Sequence, residues 1–384
     1  EVTDLLRTAL AKEPVRERLV SAVCRDRLPA RRQEELRALD PAGLAQVLVS
    51  GMPARRDTLT DVLAGREYDL PPLPNLYFMR DSSFVLRDRV VVGAMAHGVR
   101  LNEAMLLRAV YSASNALPNA GILYDGCEEQ LGGRADEGLE EGAVNDGTDG
   151  HGAHSIGTTA RPGPEDLRLE GGDVIVARRD LLVVGVSERT SSMAIDRLAG
   201  RMLAHYEEPL TVIAVVLPHE RSTIHLDMIF TLVDRDRALV YEPYVTGPRR
   251  VDVYRMKLEP GAQTRIEKCD GLLEALREEG MPLETVACGG SDPVVREREQ
   301  WLSAANAFVF APGKIIGYDC NVATMEAFSR DGFAVRSVAE YLDGRRHPED
   351  DERLFVGMPG INLARGGGGP RCMTLPVTRD PVAP

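Results

Sequence analysis

The sequence predicts an α/β protein assembled from repeated hairpin-plus-helix modules, and three observations predict it. Four times along the chain, two runs rich in β-branched and apolar residues flank a short polar turn. Helical patterns follow at least three of these pairs, at about 102–112, 190–205 and 321–331. Charged or polar residues recur just before the first run of a pair, which gives the repeat a common working end.

Residues 3 to about 65 come first and read as helices. Thr3 or Asp4 can cap an opening helix, and Asp40-Pro41 is a cap followed by a first-turn proline. Leu36 and Leu39, then Leu44, Val47 and Leu48, fall at three- and four-residue steps. We expect a helical unit over 1–68 with no chemistry of its own, and a catalytic α/β unit over 69–384.

The four hairpins follow. They are Ser83–Leu86 with Val90–Gly93, Val174–Ala177 with Leu181–Val186, Met228–Val233 with Ala238–Tyr241, and Ala307–Phe310 with Ile315–Tyr318. Between 128 and 165 the composition shifts to Gly, Asp and Glu with few large apolar side chains, so a flexible insertion is expected there. Its His151 and His154 have no matching ligands nearby and make a poor metal site.

Near the C-terminus, Arg365-Gly366-Gly367-Gly368-Gly369-Pro370-Arg371-Cys372 ends a glycine run on a thiol beside a cation. Positive charge and backbone N–H groups lower a cysteine's pKa, so this stretch reads as a thiolate nucleophile's setting.

The bulk properties exclude several classes. In 384 residues the net charge is −13, which argues against a nucleic-acid binder. The six cysteines are scattered without a C-x-x-C pair, which suits a reducing compartment and a cytoplasmic protein. Apolar runs are strand-length, so no membrane partner is expected. The chain begins with Glu1 and not Met, and targeting cannot be read from that end.

Equivalent positions in the modules carry the polar candidates. Asp81 lies just before the first hairpin, Glu170 before the second, and His225 with Asp227 before the third. If the modules share an axis, these groups meet in one cavity. Arg100 follows Asp81 by 19 residues and Arg189 follows Glu170 by 19, so two arginines approach the same place. His225 and Asp227, two apart, would point to one side of a strand. An acidic cavity with a cysteine and a histidine suits a cationic head group, and arginines at its rim suit a carboxylate. An amino acid ending in a guanidinium or amine has both.

The motifs Asn75-Leu-Tyr-Phe78-Met-Arg80-Asp81, Glu170-Gly-Gly-Asp173, Glu188-Arg189-Thr190, His225-Leu-Asp227-Met-Ile-Phe230-Thr, Tyr318-Asp-Cys-Asn321 and Arg365–Cys372 resemble, in the same order, those of arginine deiminases in the guanidine-modifying superfamily. The resemblance implies a five-module pseudo-symmetric α/β propeller with an inserted helical-bundle domain. It implies hydrolysis of L-arginine to L-citrulline and ammonia, with Cys372 as nucleophile and Asp81 and Asp227 holding the guanidinium. His225, positioned by Glu170, would be the proton carrier. Asn75, Arg100 and Arg189 would bind the α-carboxylate and Phe78 the methylenes. Asp173, Asn321 and Gly366 belong to the same substrate set. No metal or organic cofactor is expected, the partner is a small-molecule substrate, and a homo-oligomer is compatible with the pattern.

Four departures bear on the substrate. Gly367 stands where the family usually has a second arginine, Arg371 where a histidine usually precedes the cysteine, and Met325 in place of an asparagine. The family also has a longer N-terminal segment, which this chain starts after. A modified arginine, or amidino transfer to an amine, is the alternative reaction. A non-catalytic arginine binder would not need Cys372, and a papain-like hydrolase would leave the paired aspartates without a role.

Overall fold

The computed structural model describes residues 2–24, 28–113, 121–132 and 167–380. The N-terminal part is helical as expected, through Val2–Leu10, Glu13–Cys24, Ala30–Ala38, Pro41–Ser50 and Leu59–Leu63. Asp40 caps Pro41–Ser50 by accepting the Gly43 N–H at 3.0 Å, and Gly51, at φ 83°, ends that helix. Thr58 and Asp61 form a reciprocal capping box at the start of Leu59–Leu63. Two short strands, Met52–Pro53 and Tyr68–Leu70, pair antiparallel at the end of this part and were not foreseen.

All four hairpins form. Ser83–Leu86 pairs with Arg89–Val92, Val174–Arg178 with Leu181–Val186, Phe230–Leu232 with Arg237–Val240, and Phe308–Ala311 with Lys314–Tyr318, each antiparallel. In every module the second strand then gains a parallel neighbour further along the chain. These neighbours are Ile122–Asp125, Leu210–Val216, Glu284–Ala287 and Leu354–Met358. A parallel partner requires a crossover. Helix Leu101–Ala113 supplies it in the first module, Ser192–Tyr206 in the second, and Val322–Arg330 in the fourth. In the third module the crossover is longer. Its strands Val253–Leu258 and Arg265–Cys269 leave to extend the second sheet to five strands.

Burial explains the unbroken apolar runs. Leu181–Val184 is buried on both faces of its sheet, which suits a continuous hydrophobic strand. The N-terminal helices bury Leu6, Leu10 and Leu36 in one cluster with Val90, Val92 and Leu106 of the first module, so their core is continuous with it. No helix among the described residues is long and apolar enough to cross a membrane. The expected insertion at 128–165 is described only as far as helix Gly126–Gly132; the rest, with His151 and His154, lies outside the described residues.

The repeated connection has one consequence for chemistry. The segments entering the four hairpins are short turns: helix Met79–Ser82 with Asp81, the 3₁₀ turns Gly171–Asp173 and Leu226–Met228, and the loop carrying Asn306. Three of these turns touch one another, Met79–Ser82 against Gly171–Asp173 and the latter against Leu226–Met228. The equivalence of polar positions read from sequence therefore becomes physical proximity.

Candidate active site

A cavity of about 270 Å³ opens where these turns meet. Its lining includes Asn75, Phe78, Asp81, Arg100, Arg189, His225, Gly366 and Cys372, eight of the expected residues from separate stretches of chain. The inner residues are Asp81, His225 and Cys372, respectively 4%, 2% and 4% exposed.

The histidine sits between acids. His225 Nε2 is 2.9 Å from Glu170 Oε2, and its Nδ1 is 3.8 Å from Asp81 Oδ1. Burial by itself would lower the imidazole pKa; the Asp81 charge and the Glu170 hydrogen bond overcome it and raise the value to about 9. Burial likewise works to raise the Glu170 carboxyl, but its bond to His225 and the Arg189 charge hold it at about 2. Glu170 also accepts the Ala96 N–H at 3.0 Å and pairs with Arg189 Nη1 at 3.3 Å. It is wholly buried and is not part of the cavity lining.

His225 and Asp227 do not lie on a strand. Asp227 is inside the turn Leu226–Met228 and His225 is the extended residue before it. Asp173 explains the turn, since its Oδ1 accepts the Leu226 N–H at 2.9 Å and its Oδ2 the Ser187 hydroxyl at 2.7 Å. Burial raises the Asp173 carboxyl to about 7 against those bonds. The structure thus places Asp173 beneath the turn and outside the cavity lining. Asn321 is outside as well: it is buried at the start of Val322–Arg330 and donates through Nδ2 to the Leu302 carbonyl at 3.2 Å.

Two carboxylates flank the thiol, and each leaves one oxygen without a hydrogen bond. Asp81 Oδ2 accepts from Arg100 Nη1 at 2.6 Å, and Asp227 Oδ2 from Arg371 Nε at 3.2 Å. The other oxygens, Asp81 Oδ1 and Asp227 Oδ1, are buried with no hydrogen bond. Buried acceptors left unpaired are costly, so a ligand with N–H donors gains by meeting them. Asp227 Oδ2 is 3.9 Å from Cys372 Sγ.

The thiol's setting is the reverse of the one expected from Arg371. Burial, then the charges of Asp227 and Asp81, push the Cys372 pKa well above its ordinary value. The Arg371 guanidinium is spent on Asp227 and on the Val174 carbonyl, to which Nη2 donates at 3.0 Å. Without a ligand the thiol is held neutral.

Arg100 also differs from expectation. Its Nε donates to Glu103 at 2.9 Å and its Nη2 to the Phe78 carbonyl at 3.1 Å, besides the bond to Asp81. The carboxylate clamp expected of Arg100 and Arg189 is uneven, because Arg100 is bound to two acids and Arg189 to one.

The loop carrying Cys372 is held by two residues to which the sequence alone assigned no role. Asn306 Oδ1 accepts the N–H groups of Gly369 at 3.1 Å and Cys372 at 3.0 Å, and Nδ2 donates to the Asp227 carbonyl at 3.4 Å. Buried Arg80 donates from Nε to the Arg371 carbonyl at 2.8 Å, and its N–H to the Cys372 carbonyl at 3.3 Å. The module repeat carried the signal for Asn306: it enters the fourth hairpin where Asp81 enters the first. At Gly369 a Cβ would sit 2.5 Å from the Asn306 carbonyl, so glycine alone allows this approach. Gly367, at φ 90°, has open space around it.

Among the described residues Asp81, Glu170 and His225 could offer a metal three ligand atoms within 4.8 Å of one another. Arg100 and Arg189 already pair with these two carboxylates, and a protonated His225 has no lone pair to offer a metal.

The mixed α/β modules thus present a buried thiol between two carboxylates that each keep one oxygen without a hydrogen bond, with a histidine–glutamate pair beside them. The family follows from sequence comparison. The family model for arginine deiminase matches residues 34–137 and 151–379. Arginine deiminase of Mycobacterium tuberculosis is 30% identical over 356 residues, covering 90% of this chain and 73% of that protein. That of Latilactobacillus sakei is 27% identical over 343 residues, covering 88% and 70%. The chain belongs to the arginine deiminase family. Among solved structures, the N-terminal domain of an arginine dihydrolase from the ornithine-ammonia cycle in cyanobacteria aligns with a TM-score of 0.46 and 16% identity, over 80% of this chain and 77% of that one.

Proposed function

We propose that this chain hydrolyses the guanidinium group of L-arginine to L-citrulline and ammonia through a covalent intermediate on Cys372. The observation that carries the reading is the pair of carboxylate oxygens without a hydrogen bond, Asp81 Oδ1 and Asp227 Oδ1, buried in the acid cluster around Cys372. A guanidinium is planar and offers several N–H donors in fixed directions, which matches two such acceptors.

The charge balance suggests the order of events. An entering guanidinium offsets the anionic field that keeps the Cys372 thiol protonated, so the thiol gives its proton up to solvent as substrate binds. The thiolate adds to the guanidinium carbon, forming a C–S bond and a tetrahedral adduct. His225, protonated at neutral pH, gives its proton to the departing nitrogen, and the C–N bond breaks to release ammonia. Neutral His225 then takes a proton from a water attacking the amidino-thioether. Collapse of the second adduct breaks the C–S bond and frees citrulline and thiolate; the adduct's hydroxyl proton passes to solvent, where the ammonia already released is protonated to ammonium, and the thiolate regains a proton from solvent as the site empties. Glu170 holds the imidazole throughout.

Phe78 would pack along the methylenes, and Arg189 with Asn75 would face the carboxyl end. Arg100 would serve Asp81, and Asp173, Asn306 and Arg80 would hold the two loops in register. We extend the same reading to the architecture and setting: modules arranged as an α/β propeller over 69–384, a helical unit over 1–68, and a cytoplasmic enzyme.

One observation favours a second reading. Gly367 lines the cavity and opens onto free space, which leaves room for a modified arginine or an amine acceptor. Ammonia and citrulline release from L-arginine, beside a Cys372→Ala control, tests the main reading. No turnover by folded wild-type protein would sink it. Product analysis with an added amine separates hydrolysis from amidino transfer.

A further inference from the structure

Asp227 is oriented by a residue outside the cavity. Its backbone is fixed on both sides: Asp173 accepts the Leu226 N–H at 2.9 Å, and Asn306 Nδ2 donates to the Asp227 carbonyl at 3.4 Å. Its carboxylate is a different matter, because the last side-chain torsion of an aspartate has only a broad preference. Among the described residues the strong donor to that carboxylate is Arg371 Nε, 3.2 Å from Oδ2; the Cys372 thiol, at 3.9 Å, is a weak one. Oδ1 has no hydrogen bond.

Arg371 is itself locked. Its Nη2 donates to the Val174 carbonyl at 3.0 Å, so two donors of one planar fork join the start of strand Val174–Arg178 to the turn Leu226–Met228. Its backbone N–H donates to the Asn306 carbonyl at 3.3 Å, and its carbonyl accepts from Arg80 Nε at 2.8 Å and from the Thr374 hydroxyl at 2.9 Å. Cys372 lines the cavity, whereas Arg371, one residue earlier, does not. The guanidinium thus reaches Asp227 without entering the ligand space. Burial works to raise the Asp227 carboxyl, and the Arg371 charge is the first to oppose it; His225 and Arg80 act the same way and Asp81 the other.

We propose that Arg371 is a positioning residue: by holding Oδ2 of Asp227, it leaves Oδ1 in a single orientation for the substrate's guanidinium. This rests on the arginine-hydrolysis reading, in which Asp227 takes that guanidinium. An acceptor ordered in advance strengthens binding, because less ordering remains when the ligand arrives. The family usually carries a histidine at this position, so the anchor coincides with one of this chain's departures.

The test is a double-mutant cycle on L-arginine binding, read by calorimetry in the Cys372→Ala background so that turnover does not interfere. The four proteins are Cys372→Ala alone and the same chain with Arg371→Ala, with Asp227→Asn, or with both. Ligand is used in large excess, so that weak affinities remain readable. Arg371→Ala should weaken binding about tenfold or more while Asp227 is present. In the Asp227→Asn background the same change should move Kd by no more than about twofold, since its route to the ligand is gone. Arg371→Lys keeps a cation for Oδ2 but not the fork, and should recover part of the loss. Equal losses in both backgrounds, or unchanged affinity in both, overturn the proposal and leave the hydrolase reading intact. Absence of L-arginine binding by Cys372→Ala itself overturns both. Near-UV circular dichroism and Tm report whether each variant is folded; if Arg371→Ala is not, Arg371→Gln takes its place in the cycle.

Discussion

The side-chain oxygen of Asn306 accepts the backbone N–H of Cys372 at 3.0 Å, while the amide nitrogen of the same side chain donates to the carbonyl of Asp227 at 3.4 Å. One buried amide therefore couples Cys372 to the carboxylate beside it, from a position 66 residues away in the chain. Replacing it with alanine leaves the N–H groups of Cys372 and Gly369 without their acceptor. Asn306→Ala should lower stability by about 1–3 kcal/mol, as unsatisfied buried donors do. Catalysis should suffer through misplacement, with kcat falling at least about tenfold and KM little changed. Denaturant melts and steady-state kinetics measure the two effects. A variant equally destabilised but fully active at low temperature would show the residue to be structural alone.

Arg100 should behave unlike a binding residue. Arg100→Gln removes the cation from Asp81 and Glu103, two acids that are 4% and 0% exposed. Breaking a buried pair from one side typically costs about 3–5 kcal/mol. Melting should show a loss of that order, and residual activity should be limited by kcat. An Arg100 variant that folds normally and shows only a raised KM would return this residue to substrate binding.

The pH dependence has a definite sign. The folded-state pKa of His225 is raised from 6.5 to about 9, so the stability it contributes is complete below pH 6.5 and is lost as pH rises through about 9. Glu170 is lowered from 4.5 to about 2, so its contribution is complete above pH 4.5 and is lost as pH falls through about 2. The histidine limb amounts to no more than roughly 3 kcal/mol. Urea titrations at several pH values should show wild type losing stability towards pH 9 and above, with this limb missing in His225→Gln.

Cys372 should be a slow thiol in the free protein. With burial and two aspartates holding it protonated, its alkylation by iodoacetamide should rise only well above pH 9. Asp227→Asn removes one of those charges and should move the alkylation profile to lower pH. A thiol that reacts fully at pH 7 without ligand would contradict the anionic setting.

Two neighbouring glycines should respond differently to alanine. At Gly369 the new Cβ meets the Asn306 carbonyl at 2.5 Å, so Gly369→Ala should displace the nucleophile loop and abolish most activity. At Gly367 there is space but φ is 90°, so Gly367→Ala should cost about 1–2 kcal/mol of backbone strain. Activity near that of wild type is expected when the protein is assayed well below its Tm.

The local parts of this protein were legible in the residues themselves. Periodicity and turn composition mark the four hairpins to within a residue or two, because alternation and turn geometry are properties of neighbouring residues. The recurrence of Asp81, Glu170 and Asp227 before successive hairpins indicates a shared site for the same reason, and applying the rule to the fourth hairpin leads to Asn306. What only the tertiary structure decided is how each charge is spent. Arg100 goes to Asp81 and Glu103, and Arg371 goes to Asp227 and not to the thiol. Asp173 props a turn behind the cavity, and Cys372 sits in a negative field despite a flanking arginine. An ionisable group's behaviour depends on its desolvation and on charges within a few ångströms, which come from chain positions as far apart as Asp81 and Cys372. Composition shows which charges exist; packing alone sets which of them face one another.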